Sequence, residues 1–178
     1  MRRGLSILLG GFKNLLSLVL FRAMIPLSEL TISTEEFDAR VLLAHWEWRI
    51  PPHYRPLFLS TFADWFLRDA DDRVHMFDLV SGELKQIADS RPEFEALMEV
   101  EEYQREWLMS HLVEQLQRSG VARPRGQCYA FRTPPMLGGQ LSPTNIVLWD
   151  LDAYQSGTSK IHQQLFQLPP GTEIVFKP

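Results

Sequence analysis

The segment from Gly126 to Val147, GQCYAFRTPPMLGGQLSPTNIV, constrains the fold of this chain more than any other. The dipeptides Pro134–Pro135 and Gly138–Gly139 stand between two apolar runs. Proline fixes φ and removes a backbone donor, whereas glycine allows positive φ or the close approach of another backbone. The segment therefore predicts a shaped turn that joins two strands, GQCYAFR and NIVLWDLD.

The first strand alternates, with Cys128 and Ala130 on one face and Tyr129 and Phe131 on the other. The glycine pair lacks the further glycines and the lysine of a phosphate-binding loop. We therefore interpret the motif as structural. Its expected members are Gly126, Tyr129, Pro134, Pro135, Gly138, Gly139 and Asn145.

The length of 178 residues is that of one domain with its own core. The single cysteine, Cys128, cannot form an internal disulfide and excludes a zinc site built from several cysteines. A reducing compartment, the cytoplasm, is therefore expected. No cofactor is indicated.

Charge is distributed unevenly along the chain. The first 23 residues carry four basic residues and no acid, so the remainder carries 14 basic and 22 acidic residues, a net charge of −8. An acidic body argues against general nucleic-acid binding, because affinity for nucleic acid depends on neutralising phosphates. It suits a basic protein partner better.

Residues 1–23 form an apolar N-terminal extension that is open to three interpretations. A signal peptide or membrane anchor fits the basic start, but Lys13 and Asn14 interrupt the apolar run that a bilayer requires. The extension could also be a structural helix, or the product of an upstream start codon, with Met24 the natural first residue. Residues 24–178 are expected to form a single α+β domain.

Within that domain, acids after Thr34 predict a helix start, with Phe37, Val41, Leu42 and Trp46 at helical spacing. Trp46 and Trp48 are interpreted as packing residues. Three segments, STFADWFLRD, RVHMFDLV and ELKQIA, predict an antiparallel meander.

A helical pattern follows from Ser90 to Gly120, with Ser90 as its cap. TSKIHQQLFQL predicts another helix, with Ile161, Leu165 and Phe166 on one stripe, and TEIVFK predicts a last strand. The expected fold is an antiparallel sheet of about five or six strands packed against two or three helices.

Catalytic and metal motifs are weak. The five histidines lack metal-ligand spacing, and the acids at residues 69, 71 and 72 lack the glycine and glutamate of a calcium loop. His111 is interpreted as a satisfied buried histidine rather than a ligand. Cys128 and His162 could meet in the fold as a thiol site near the turn, so a small enzyme remains the alternative class, beside a membrane-tethered domain.

Several segments together resemble a known family. They are FADWFLRDADDRVHMFDLVSGEL, a tryptophan-bearing helix ending at Gly120, GQCYAFRTPPMLGG followed by Asn145, IHQQ, and LPPG. Over about residues 57–175 the chain resembles the C-terminal domain of immunity proteins that protect bacteria from DNase effectors of the type VI secretion system. The resemblance implies an α+β domain that binds a cognate toxin and has no catalytic activity.

Composition and resemblance together favour a non-enzymatic immunity protein that binds a basic toxin, a nuclease effector. An acidic surface can cover the basic groove with which a nuclease holds DNA. The candidate partner-binding acids are Asp69, Asp71, Asp72, Glu99, Glu101 and Glu102.

Overall fold

The computed structural model describes residues 24–169 and residue 172. The interpretations of residues 1–23 and, apart from Thr172, the strand predicted over residues 172–177 lie outside the described residues. Within the described part of the chain, no helix has the length and apolar character needed to cross a bilayer.

The main sheet has five antiparallel strands in sequential order. The predicted meander is confirmed as its last three strands, and the mixed α+β class is confirmed. The first two strands had not been predicted, because one is only three residues long and the other contains a proline. The five strands are β1 (Thr31–Ser33), β2 (Arg55–Ser60), β3 (Trp65–Arg68), β4 (Val74–Asp78) and β5 (Glu83–Ala88).

Both faces of the central strands β3 and β4 are buried. Trp65 pairs with Phe77 and enters one apolar cluster, whereas Phe66 pairs with Met76 and enters another. Successive side chains of a strand point to opposite faces, so the sheet separates two apolar cores. This explains why these strands read as nearly continuous apolar runs rather than as a clean alternation.

The structure has six helices in the described residues: α1 (Leu27–Leu30), α2 (Ala39–Ala44), α3 (Arg91–Met98), α4 (Glu101–Leu108), α5 (Ser110–Arg118) and α6 (Leu151–Phe166). The segment from Ser90 to Gly120, predicted to be helical, therefore forms three helices, α3, α4 and α5. Ser90 caps the first of them, because its hydroxyl accepts the N–H of Glu93 at 3.3 Å. Met109, with φ of 48°, has a left-handed backbone conformation and interrupts the helix between α4 and α5.

The helix start predicted after Thr34 is wrong. Helix α2 begins at Ala39, because the carboxylate of Asp38 accepts the N–H of Arg40 and caps it. The preceding residues form the turn that leaves β1. Val41 is 51% exposed, whereas Leu42 and Trp46 are buried.

Strands β6 (Gln127–Phe131) and β7 (Ile146–Asp150) form a separate antiparallel pair on either side of the proline–glycine turn. The N–H of Tyr129 donates to the carbonyl of Thr61 at 2.8 Å, so this pair docks beside the β2–β3 turn. The second strand is shorter than its apolar run. Its last residue, Asp150, caps α6 by accepting the N–H of Ala153 at 2.9 Å.

Helix α6 packs against the sheet through a polar face. Gln155, which is fully buried, accepts the indole N–H groups of Trp46 and Trp65 on its side-chain oxygen, the latter at 3.2 Å. Its side-chain nitrogen donates to the carbonyl of Ala63 at 2.8 Å. One side chain thus connects α6 to the residues after α2, to β3 and to the β2–β3 turn.

Two further polar residues extend this face. The hydroxyl of Ser159 donates to the carbonyl of His45 and accepts the indole N–H of Trp48 at 2.9 Å. One helical turn later, Nε2 of His162 donates to the carbonyl of Leu79 at 2.8 Å. Trp46 is buried and Trp48 half-buried, so the interpretation of both as packing residues is confirmed.

The apolar stripe predicted on this helix is not the buried one. Phe166 is 71% exposed, and Ile161 and Leu165 are only partly buried. The tryptophans have indole N–H groups that must find acceptors once they are buried. Helix α6 therefore turns its amide and hydroxyl face to the sheet and leaves the apolar stripe at the surface.

A buried carboxyl group ties two turns of the main sheet together. Asp64 accepts the hydroxyl of Ser60 at 2.7 Å and the N–H of Leu79 at 2.9 Å. Desolvation by burial, with the nearby charge of Asp78, raises the pKa of Asp64 to about 7. This group therefore serves the fold, by joining the β2–β3 turn to the end of β4.

We expect Gln155→Leu to lower the free energy of unfolding by about 3 kcal/mol or more, since it leaves two indole donors and one carbonyl buried without partners. Urea unfolding followed by tryptophan fluorescence measures the change. The exposed Gln163 on the same helix supplies the control, and Gln163→Leu should stay within about 0.5 kcal/mol of the wild type. Equal stability of the two variants would contradict the role given to Gln155.

Candidate recognition surface

The side chain of Asn145 closes the turn between β6 and β7. Its oxygen accepts the N–H of Thr133 at 2.9 Å, and its nitrogen donates to the carbonyls of Thr133 at 2.8 Å and Gln140 at 2.9 Å. The amide thus pairs with the chain as another peptide group would. It continues the ladder beyond the bond from the Arg132 N–H to the Asn145 carbonyl.

Gly139 allows two stretches of backbone to touch. A Cβ atom built at this position would lie 1.8 Å from the carbonyl oxygen of Thr133, a distance that no side chain tolerates. Its neighbour Gly138 has φ of 89°, in the region that favours glycine. The N–H groups of both glycines donate to carbonyls of the preceding proline pair, Pro134–Pro135.

The other two members of the motif, Gly126 and Tyr129, lie before the turn and bond to neighbouring segments of the chain. Gly126, with φ of 78°, accepts the first N–H of α6, from Leu151, on its carbonyl at 3.0 Å. The buried Tyr129 donates its hydroxyl hydrogen to the carbonyl of Val121 at 3.2 Å. The structure therefore places all seven residues of the motif in the turn or at its flanks, where they bond to the chain itself.

Cys128 and His162 do not form a thiol site. Cys128 is fully buried on β6, and burial raises the pKa of its thiol above the ordinary value, so the group is protonated at neutral pH. His162 bonds to the carbonyl of Leu79, at the other end of the α6 interface. The thiol therefore lacks the access that activation requires, and Nε2 of His162 is engaged by a backbone carbonyl.

Two of the remaining histidines bond to acids: His45 to Asp152 at 2.8 Å, and the buried His75 to Asp69 at 3.0 Å. His53 is exposed, with its ring against that of Tyr54. The interpretation of His111 as a satisfied buried histidine is wrong, because it is only partly buried and its Nδ1 has no hydrogen-bond partner among the described residues. Burial, with the charge of Arg105, lowers the pKa of His111. Among the described residues, no group of three or more histidine, cysteine or acidic side chains is arranged to hold a metal ion.

Asp69 is not a surface acid, contrary to its place among the candidates. Its side chain is 6% exposed and accepts from Arg73 at 2.8 Å and from His75. Burial alone would raise its pKa, but these hydrogen bonds and two backbone N–H groups lower it to about 2. The carboxylate of Asp69 thus stabilises the turn between β3 and β4, in which it lies.

Asp71 and Asp72 lie at the surface of that turn but are also paired. Asp71 contacts Arg73 at 2.7 Å, and Asp72 contacts Arg68 at 2.9 Å. The three acids of this turn share Arg68 and Arg73, so each of them has a cationic partner.

Glu99, Glu101 and Glu102 lie together where α3 ends and α4 begins, and all three are exposed. Glu101 lies 3.8 Å from Arg105, whereas Glu99 and Glu102 make no ion pair with the described residues. Val100, between them, is 44% exposed. We call residues 99–102 the acidic face. It combines the carboxylates of Glu99 and Glu102, unpaired among the described residues, with the exposed apolar side chain of Val100. The sequence analysis had not predicted a role for Val100.

A second region of the sequence with exposed apolar side chains is β7 and the turn before it. Trp149 is 50% exposed and Leu148 is 37% exposed, on opposite faces of the strand, and Leu141 in the turn is 54% exposed. Sequence reasoning placed these residues on a strand and in a turn without predicting their exposure. The sequence signal that could have predicted this exposure is the apolar run of β7, which among the described strands pairs with β6 alone.

Comparison with known proteins bears on the part of the chain that holds both regions. Residues 88–162 match the family described as T6SS immunity protein Tdi1, C-terminal. The predicted resemblance is thereby confirmed over α3–α5, the turn motif and most of α6. The match supports a role as an immunity protein. No curated protein matches the chain.

Among solved structures, the chain is similar to Atu4351 from Agrobacterium tumefaciens, known from its crystal structure. The sequences are 16% identical and the TM-score is 0.46. The likeness covers 71% of this chain and 63% of that protein, so the matched part spans less than two thirds of its length.

We expect Gly139→Ala to lower the free energy of unfolding by roughly 2–4 kcal/mol, because the added Cβ collides with the Thr133 carbonyl and separates the turn from β6. Gly157→Ala is the matched control. That glycine lies on α6 with open space around it, and alanine should stabilise the helix by up to about 1 kcal/mol. Thermal unfolding compares the two, and a tolerated Gly139→Ala would contradict the close approach.

We expect the thiol of Cys128 to react with a disulfide probe at neutral pH at least about a hundredfold more slowly in the folded protein than in urea. The reason is that the buried, protonated thiol reacts only when the structure opens. Rapid, stoichiometric labelling of the folded protein would instead favour an activated cysteine.

Proposed function

We propose that this protein is an immunity protein that neutralises a secreted bacterial toxin by binding it directly, and that the toxin is a nuclease effector. The match of residues 88–162 to the immunity family carries this proposal. The matched segment contains the acidic face and the turn motif, so the family likeness includes surface as well as core.

Electrostatics supports a basic partner. Outside its first 23 residues the chain has a net charge of −8. A nuclease holds DNA in a groove lined with cations, and an acidic protein can occupy that groove in place of the phosphates. Complementary charge also raises the association rate, which is valuable to a protein that must intercept a toxin quickly.

We place the contact with the toxin on the acidic face. Asp69, Asp71 and Asp72 are paired with Arg68 and Arg73, whereas Glu99 and Glu102 make no ion pair with the described residues and can contact a partner. The exposed side chain of Val100 lies between these charges and can be covered on binding. An apolar centre flanked by charge is typical of protein interfaces.

Binding without catalysis is consistent with the chemistry of the interior. The single thiol is buried, three histidines bond within the fold, His111 is partly buried and His53 is exposed. Buried polar groups such as Gln155 and Asp64 are occupied by structural hydrogen bonds. Inhibition therefore rests on blocking the toxin's surface.

Co-expression tests the proposal. The product of the neighbouring gene should arrest growth of a host when expressed alone, and this chain should restore growth and co-purify with that product. A neighbouring product that is neither toxic nor retained on this protein would remove the support for an immunity role.

Charge reversal tests the acidic face. At low salt, Glu99→Lys with Glu102→Lys should slow association with the neighbouring gene product by about tenfold and flatten its salt dependence. The double variant Glu35→Lys with Glu47→Lys makes the same change in net charge at exposed acids elsewhere and is the control. If both pairs slow association equally, net charge rather than this face governs binding.

A further inference from the structure

An apolar groove lies next to the acidic face. Its volume is about 730 Å³, within the range of sites that bury a whole side chain or a small ligand. It runs between α1, β2 and α3, and its apolar lining is formed by Leu27, Pro56, Leu57, Phe58, Phe94 and Met98. Glu99, the first residue of the acidic face, also lines it.

A bulge in β2 shapes this groove. Pro56 pairs with Leu67 and Phe58 pairs with Phe66, so Leu57 has no partner on β3. Strict alternation would send Leu57 and Phe58 to opposite faces of the sheet, but both line the groove and both are only partly buried. The bulge thus adds an apolar side chain to the groove that a regular strand would have turned away.

The floor of the groove is a cluster of packed aromatic rings. The rings of Phe58 and Phe66 stack with centroids 4.5 Å apart, and the ring of Phe94 lies 6.0 Å from Phe58 and 5.7 Å from Phe66. Phe66 and Phe94 belong to the apolar core that also contains Met76. A preformed aromatic floor can receive a side chain without ordering anything new, which lowers the cost of binding.

The polar groups of the groove leave one charge unbalanced. Arg91 pairs with Glu95 at 2.8 Å, and Arg68 pairs with Asp72 at 2.9 Å. The hydroxyl of Thr31 donates to the carbonyl of Leu27 at 2.8 Å. Among the lining residues, Glu99 alone has a charge without a counter-ion, so the rim favours a cation.

We infer that this groove is the anchor site for the toxin: it receives an apolar side chain from a toxin segment whose neighbouring lysine or arginine contacts Glu99. The inference rests on the proposed immunity function and deepens it. Charge at the rim and continuity with the acidic face argue for a basic protein partner. Interfaces derive most of their affinity from a few anchors that fill such pockets beside charged contacts.

The test measures binding of the neighbouring gene product, in a catalytically inactive form, to the full chain by surface kinetics. Leu57→Asp should accelerate dissociation at least tenfold, because it puts a carboxylate where the anchor sits, and should leave the salt dependence of association nearly unchanged. Leu148→Asp is the matched control, a partly exposed strand leucine on β7, and should bind within twofold of the wild type.

Each outcome has a separate meaning. Wild-type binding that Leu57→Asp leaves within twofold overturns the anchor site and leaves the immunity function standing, whereas absence of wild-type binding removes both. Thermal unfolding verifies that Leu57→Asp is folded. If it is not, Leu57→Ala carries the test, with at least threefold faster dissociation expected. Self-association abolished by the same variant would assign the groove to a second copy and overturn the inference.

Discussion

The side-chain amide of Gln155 bonds to parts of the chain about 90 to 110 residues away in sequence. Two tryptophans and one backbone carbonyl are buried around it, and each has a polar group that would be costly to bury alone. The position of α6 follows from these bonds. With α6 in place, its first residue bonds to Gly126 and sets where β6 and β7 lie beside the main sheet.

The two ends of the β6–β7 pair are therefore held by different means. At one end the helix holds the strands through the bond from the Leu151 N–H to the Gly126 carbonyl and through the Asp150 cap. At the other, the proline–glycine turn fixes them through the Asn145 amide and the contact between Gly139 and Thr133. The bonds named at both ends run within the chain. This arrangement suits a scaffold that presents a surface.

Charge is distributed along similar lines. Acids inside the fold hold turns: burial raises the pKa of Asp64 to about 7, and Asp69 is paired with Arg73 and His75. The uncompensated acids lie where α3 meets α4, beside a groove that a bulge in β2 widens on its apolar side. The distinction between structural and available carboxylates cannot be made by counting acids, because it depends on which cations the fold brings within reach.

By itself the sequence determined the α+β class, the β3–β5 meander, the Ser90 cap and the strands around the proline–glycine turn, because these depend on local periodicity and backbone chemistry. It could not determine the start of α2, which the Asp38 cap sets, or the buried face of α6. Tertiary structure alone decided that Gln155 and Ser159 face inward and Phe166 outward, since buried indole N–H groups need acceptors. It also decided that Asp69 is buried and bonds to Arg73 and His75, whereas Glu99 lies at the surface. Which acid meets a cation depends on distances in the folded chain, which the sequence does not give.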